Sequence, residues 1–102
     1  MNPIVAYKRR KTEKILKQCE KDPENYVKYY KRIRRLWWFE YKMFVRPKVE
    51  KLMTEQGHMI HGHSSHLGAC HYIWDAEKTM MKDQYGIEWY SLSDINPGVL
   101  YD

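Results

Sequence analysis

Six side chains able to bind a metal or carry nucleophilic chemistry crowd into fourteen residues: His58, His61, His63, His66, Cys70 and His71, in GHMIHGHSSHLGACH. These are all five histidines of the chain and one of its two cysteines. Zinc asks for three or four such donors converging at about 2.0–2.3 Å. His61 and His63 are two apart, which turns both rings to one side of a locally extended loop. His66 and Cys70 are four apart, which stacks them on one face of a helix. A loop pair meeting a helix pair makes a tetrad, His61, His63, His66 and Cys70. With no open position, it is expected to hold a structural rather than a catalytic zinc. The loop has few apolar residues to hold it down, and a bound ion worth about 10 kcal/mol or more supplies the anchor. His71 points about 100° away from Cys70 on a helix and is a reserve ligand, as are His58 and, from the first helix, Cys19.

Catalysis has little support. Cys70 beside His71 has the residue types of a nucleophile and its base, but neighbouring side chains on a helix diverge. No glycine-rich phosphate loop and no paired carboxylates in a cleft-forming stretch are present. The expectation is a protein that binds and does not catalyse.

A second stretch could do the binding. KYYKRIRRLWWFEYK, residues 28 to 42, interleaves Lys28, Lys31, Arg32, Arg34 and Arg35 with aromatic and large apolar groups. Basic groups beside stackable rings suit single-stranded nucleic acid. They equally suit a protein interface, where Trp, Tyr and Arg carry most of the binding energy. Leu36, Trp37, Trp38 and Phe39 are consecutive, so they surround a helix and leave Trp38 or Phe39 partly exposed. Arg32, Arg34, Arg35 and Trp38 are the expected partner face. No sequence signature of a nucleic-acid reader accompanies them, so a protein partner leads and a nucleic-acid-binding module is the alternative.

The elements that must position these groups are helical. Residues 3 to 21 carry a helical stripe after Pro3, which suits a first turn. Asp22 and Pro23 restart the chain as N-cap and first residue of a second helix to about Arg46, with Tyr26, Tyr30, Ile33, Trp37, Tyr41 and Phe44 as its apolar stripe. Pro47 ends or kinks it, and a third helix runs to Gly57. Residues 58 to 64 read as an irregular loop. Ser64 or Ser65 caps a fourth helix to Tyr85, stopped by Gly86. Ile87 and Trp89 suggest a short extended segment, and Ser91 with Asp94 has capping-box spacing. The expected fold is mainly α: a small single-domain helical bundle with a metal-anchored loop. Residues 3–56 form the basic helices, residues 58–85 the His/Cys loop and its helix, and residues 86–102 an irregular tail.

Charge follows the same division. Residues 1 to 51 hold 16 Lys+Arg against 6 Asp+Glu, net +10, and residues 52 to 102 hold 2 against 7, net −5. Such a dipole presents its basic half to an anionic partner. No segment is long and apolar enough to span a bilayer, the N-terminus lacks a signal-peptide pattern, and two distant cysteines form no disulfide framework. A cytoplasmic setting is expected.

Two resemblances attach to these residues. His61-Gly62-His63-Ser64-Ser65-His66 resembles the HxHxDH motif of metallo-β-lactamases, with Ser65 where that family has an aspartate ligand and a chain too short for that fold. A short, dipolar helical chain with the loop HGHSSHLGACH resembles the small phage-encoded anti-CRISPR proteins, among them a zinc-containing kind directed against Cas9. That resemblance implies a non-catalytic inhibitor, in the host cell cytoplasm, that binds the effector and obstructs DNA engagement.

Overall fold

The computed structural model describes residues 2–101, which are mainly helical. Helix α1, Pro3–Glu20, is started by Asn2, whose Oδ1 accepts the Ile4 amide at 2.8 Å, with Pro3 in its first turn. The expected restart at Pro23 is a single 3-10 turn, Pro23–Asn25, and α2 begins only at Tyr26 and runs to Leu36. Asp22 does not cap it. Its carboxylate accepts instead from the Tyr29 hydroxyl at 2.8 Å and from Asn25 Nδ2 at 3.0 Å.

The expected continuous helix to Arg46 is broken twice, for a reason that lies in its apolar spacing. The buried apolar side chains are Tyr29, Ile33, Trp37, Tyr41, Val45, Val49 and Met53, in steps of four throughout. In an α-helix four residues turn about 400°, so each step drifts about 40° around the axis, and six steps drift about 240°. A straight helix cannot keep that stripe against one core. The chain resets its phase: α2 ends at Trp37, α3 is the short turn Trp38–Glu40, and Tyr41–Val45 widens into a π-helical turn before α4, Arg46–Glu55. The reset buries Val45 and leaves Phe44, expected inside, 51% exposed. Pro47 follows directly on the π-helical turn that interrupts the expected helix. It sits in the first turn of α4, where its missing amide proton costs little.

The residues after Gly57 form a tight hairpin, not an irregular loop. Strands β1, Met59–Ile60, and β2, His63–Ser64, pair antiparallel with Met59 opposite Ser64 and Ile60 opposite His63. The two linking residues, His61 and Gly62, have φ of 51° and 80°, the left-handed pair that a two-residue hairpin needs. Helix α5, Ala69–Tyr85, starts later than Ser65, because Gly68 at φ 80° breaks the backbone before it. Gly86, also left-handed, ends it as expected. Residues 87–90 have no regular structure, and Ser91 and Asp94 make both bonds of a capping box on the short helix α6, Leu92–Ile95.

The core gathers the step-of-four stripe from Ile33 to Met53 with Met59, Ile73, Met81, Ile87, Trp89 and Tyr90. The molecule measures 40 × 36 × 16 Å. Its short axis has room for about two layers of helices packed 8–10 Å apart, so much apolar surface has no second layer to cover it.

Candidate functional site

An uncovered apolar surface lies at the shoulder where α3 meets the π-turn. Trp38, Phe39, Met43 and Phe44 are 46–59% exposed. Phe39 and Phe44 are five residues apart, a spacing that a π-turn aligns, and their rings meet edge to face at 5.8 Å. Trp38 leans on Tyr41 at 5.3 Å. Of the two rings expected to compete for exposure, both are exposed. Phe39, Met43 and Phe44 were not among the expected partner residues. Phe39 was signalled by the run Leu36–Phe39, whereas Phe44 depends on the phase reset.

Beneath the shoulder lies a polar lattice that fixes it. Glu77 of α5 is 3% exposed; it accepts from the Tyr41 hydroxyl and, at 2.7 Å, from Arg46 Nη1. Arg46 also bonds Glu50 at 3.1 Å. Burial and the adjoining Glu77 push the Tyr41 phenol well above the usual tyrosine range. Burial works against the Arg46 charge, but its bonds to Glu77 and Glu50 and the neighbouring Tyr41 more than offset that, and its pKa rises. On the other side, buried Glu40 accepts from Lys8 Nζ at 2.8 and 2.6 Å, and Trp37 Nε1 donates to Thr12 Oγ1 at 2.8 Å, which ties α1 to the segment. Paired buried charges of this kind hold one geometry and leave the rings above them no freedom to collapse inward.

The expected partner face of Arg32, Arg34, Arg35 and Trp38 does not form a single surface. Arg34 is half-buried; it donates to the Tyr90 carbonyl, lies 4.8 Å over the Trp89 ring, and burial lowers its pKa. Its role is structural. Arg32 and Arg35 are on the opposite side of α2, where with Lys11 and Lys14 of α1 they rim a groove of about 430 Å³ floored by Ile15 and Leu36. Among the described residues none of these four cations is in an ion pair. Trp38 belongs to the shoulder, with Lys42 and Lys48 exposed nearby in sequence.

The histidine loop is arranged differently from the expected tetrad. His61 is at the hairpin tip and His63 is exposed on β2. His66 lies in the turn before α5, not on the helix with Cys70, so the four-residue stacking that linked them does not arise. His66 meets His58 instead: His58 Nδ1 and His66 Nε2 are 3.0 Å apart. The His58 ring stacks on Tyr72 at 4.1 Å, and His71 stands edge-on to Trp74 at 5.4 Å. Among the described residues no three His, Cys, Asp or Glu side chains are placed to share one ion. The loop expected to be anchored by a metal is held by the hairpin and by His58, whose amide donates to Met53 O at 2.8 Å. Cys19 and Cys70 are both half-buried.

No helix of the described residues is long and apolar enough to cross a membrane. Comparison with protein-family models, with curated proteins and with solved structures found no match to this chain.

Proposed function

We propose that the protein is a non-catalytic interaction module that docks a protein partner on the aromatic shoulder. One observation carries this reading: Trp38, Phe39, Met43 and Phe44 are each about half exposed on a segment held rigid from below by the Glu77–Tyr41–Arg46 lattice. Clustered exposed rings mark interaction sites, and rigid aromatic anchors lose little entropy on binding. The exposed cations Lys42 and Lys48, near the rings in sequence, favour a partner that presents carboxylates around apolar side chains. The narrower identity implied by the resemblance, an inhibitor of a CRISPR effector such as Cas9, falls within this class, and adding the protein to a Cas9 cleavage reaction decides it.

The general reading is tested with a synthetic acidic amphipathic helix and with single- and double-stranded DNA, titrated by tryptophan fluorescence at two salt concentrations. The expected result is peptide binding of shallow salt dependence, lost in a Phe39→Asp/Phe44→Asp variant. The alternative, a nucleic-acid-binding module, draws on the basic groove of Lys11, Lys14, Arg32 and Arg35. Tight DNA binding that weakens steeply with salt, through counterion release, establishes it instead.

A further inference from the structure

The pairing of His58 with His66 has the chemistry of a metal clamp. His66 Nδ1 lies 2.9 Å from the Leu67 carbonyl. A carbonyl oxygen only accepts, so Nδ1 carries the proton and Nε2 carries the lone pair. Locking one ring nitrogen on a backbone carbonyl to free the other is the outer-shell arrangement found behind metal-bound histidines. The freed Nε2 faces His58 Nδ1 at 3.0 Å. Two nitrogens bound to one tetrahedral zinc at 2.0–2.1 Å stand about 3.3–3.4 Å apart. The pair therefore needs to open by only a few tenths of an ångström.

The scaffold behind the pair is already in place. The His58 amide donates to Met53 O at 2.8 Å and its carbonyl accepts from Ser65 N at 3.0 Å. Its ring is stacked on Tyr72 of α5, with the planes 8° apart. Residues 58 and 66 flank the hairpin, so an ion between them clips its base and ties the end of α4 to the start of α5.

We propose that His58 Nδ1 and His66 Nε2 form a two-imidazole site for a divalent transition-metal ion of the zinc class, with water completing the coordination. Without the ion, His58 donates its Nδ1 proton to His66. On binding, that proton moves to Nε2 of the same ring, which leaves two lone pairs directed at the metal and requires no net proton release. This ligand set replaces the loop tetrad, and it does not rest on the docking surface.

The test is calorimetric titration of the dialysed full chain with zinc chloride. One zinc per chain is expected, with affinity at least tenfold weaker in His58→Ala and in His66→Ala, and within twofold of the parent in His61→Ala, His63→Ala and Cys70→Ala. Cobalt loaded in place of zinc should show no thiolate charge-transfer band. A second measurement needs no variant: zinc should protect His58 and His66, but not His61 or His63, from diethyl pyrocarbonate, as mapped by mass spectrometry. Zinc binding that survives His58→Ala and is lost in Cys70→Ala or His61→Ala overturns the clamp in favour of the tetrad. No stoichiometric zinc binding overturns both and leaves the pair a hydrogen bond alone.

Discussion

The guanidinium of Arg34 lies 4.8 Å over the Trp89 ring and donates to the carbonyl of Tyr90. It fastens α2 to a tail segment that has no regular backbone bonds of its own. Trp89 is stacked on Tyr41 as well, at 4.6 Å, so the same contact reaches the base of the aromatic shoulder.

Arg34→Ala should therefore act on stability. A bond from a charged donor to a partly buried carbonyl is worth about 1.5–3 kcal/mol, and the variant should lose about that much in urea unfolding. Arg32→Glu and Arg35→Glu, on exposed side chains with no ion pair, should stay within about 0.5 kcal/mol of the parent. A triple replacement of all three arginines would confuse the two effects. If Arg34→Ala unfolds at the parental urea midpoint, the tie has no energetic weight.

Glu77 offers a sharper contrast. Truncation in Glu77→Ala leaves the half-buried Arg46 and the Tyr41 hydroxyl without their shared acceptor, at a cost of about 3 kcal/mol or more. Glu77→Gln keeps one acceptor oxygen and should lose less than half of that. Near-ultraviolet circular dichroism should report the loss of fixed packing around Tyr41 and Trp89 in the alanine variant. Equal stability of the two variants would show that the carboxylate charge, not the acceptor, is what matters.

The shoulder rings predict the reverse pattern. Phe39 and Phe44 touch each other edge to face but are exposed by 59% and 51%, so Phe39→Asp/Phe44→Asp should cost only about 1 kcal/mol. Light scattering should show the same variant no more associated than the parent at any concentration. A severe fall in melting temperature instead would make the rings part of the core.

These contrasts show where the sequence was legible. Part of the capping chemistry read well: Pro3, Gly57, Gly86 and the Ser91–Asp94 box act where their local bonding preferences put them, whereas Asp22 and Ser65 do not cap the helices expected of them. The long second helix did not, although its residues carry the cause. The stripe Tyr26, Tyr30, Ile33, Trp37, Tyr41 and Phe44 mixes steps of three and four, which suits an α-helix. The stripe that is buried keeps to four from Tyr29 to Met53, and only a phase reset satisfies it. The histidine loop differs from its expected irregular form for another reason. Gly62 and Gly68 have left-handed backbones that build the hairpin and delay α5, which places His66 before the helix and beside His58. Arg34 could have been separated from Arg32 on spacing alone, since two residues turn a helix about 200°.

Acid should expose the capping box. Asp94 accepts from the Ser91 amide at 2.8 Å and from Lys78 Nζ at 2.9 Å. Burial raises its pKa, but the bonds from Lys78 and Ser91 outweigh that and hold it below the ordinary 3.8. A carboxyl whose pKa is lowered by folding stabilises the fold fully above its unfolded value, and that contribution is lost as pH falls through the folded one. Asp22, lowered by the Tyr29 hydroxyl and Asn25, has the same sign. Melting temperature should thus be flat near neutrality with respect to these groups and fall below about pH 4. Asp94→Asn should be less stable than the parent at pH 7, by about 0.5–2 kcal/mol for a weakened cap, and should lose less on acidification. Parallel melting curves for the two proteins from pH 7 to pH 3 would remove Asp94 from the acid response; converging curves are the expected result.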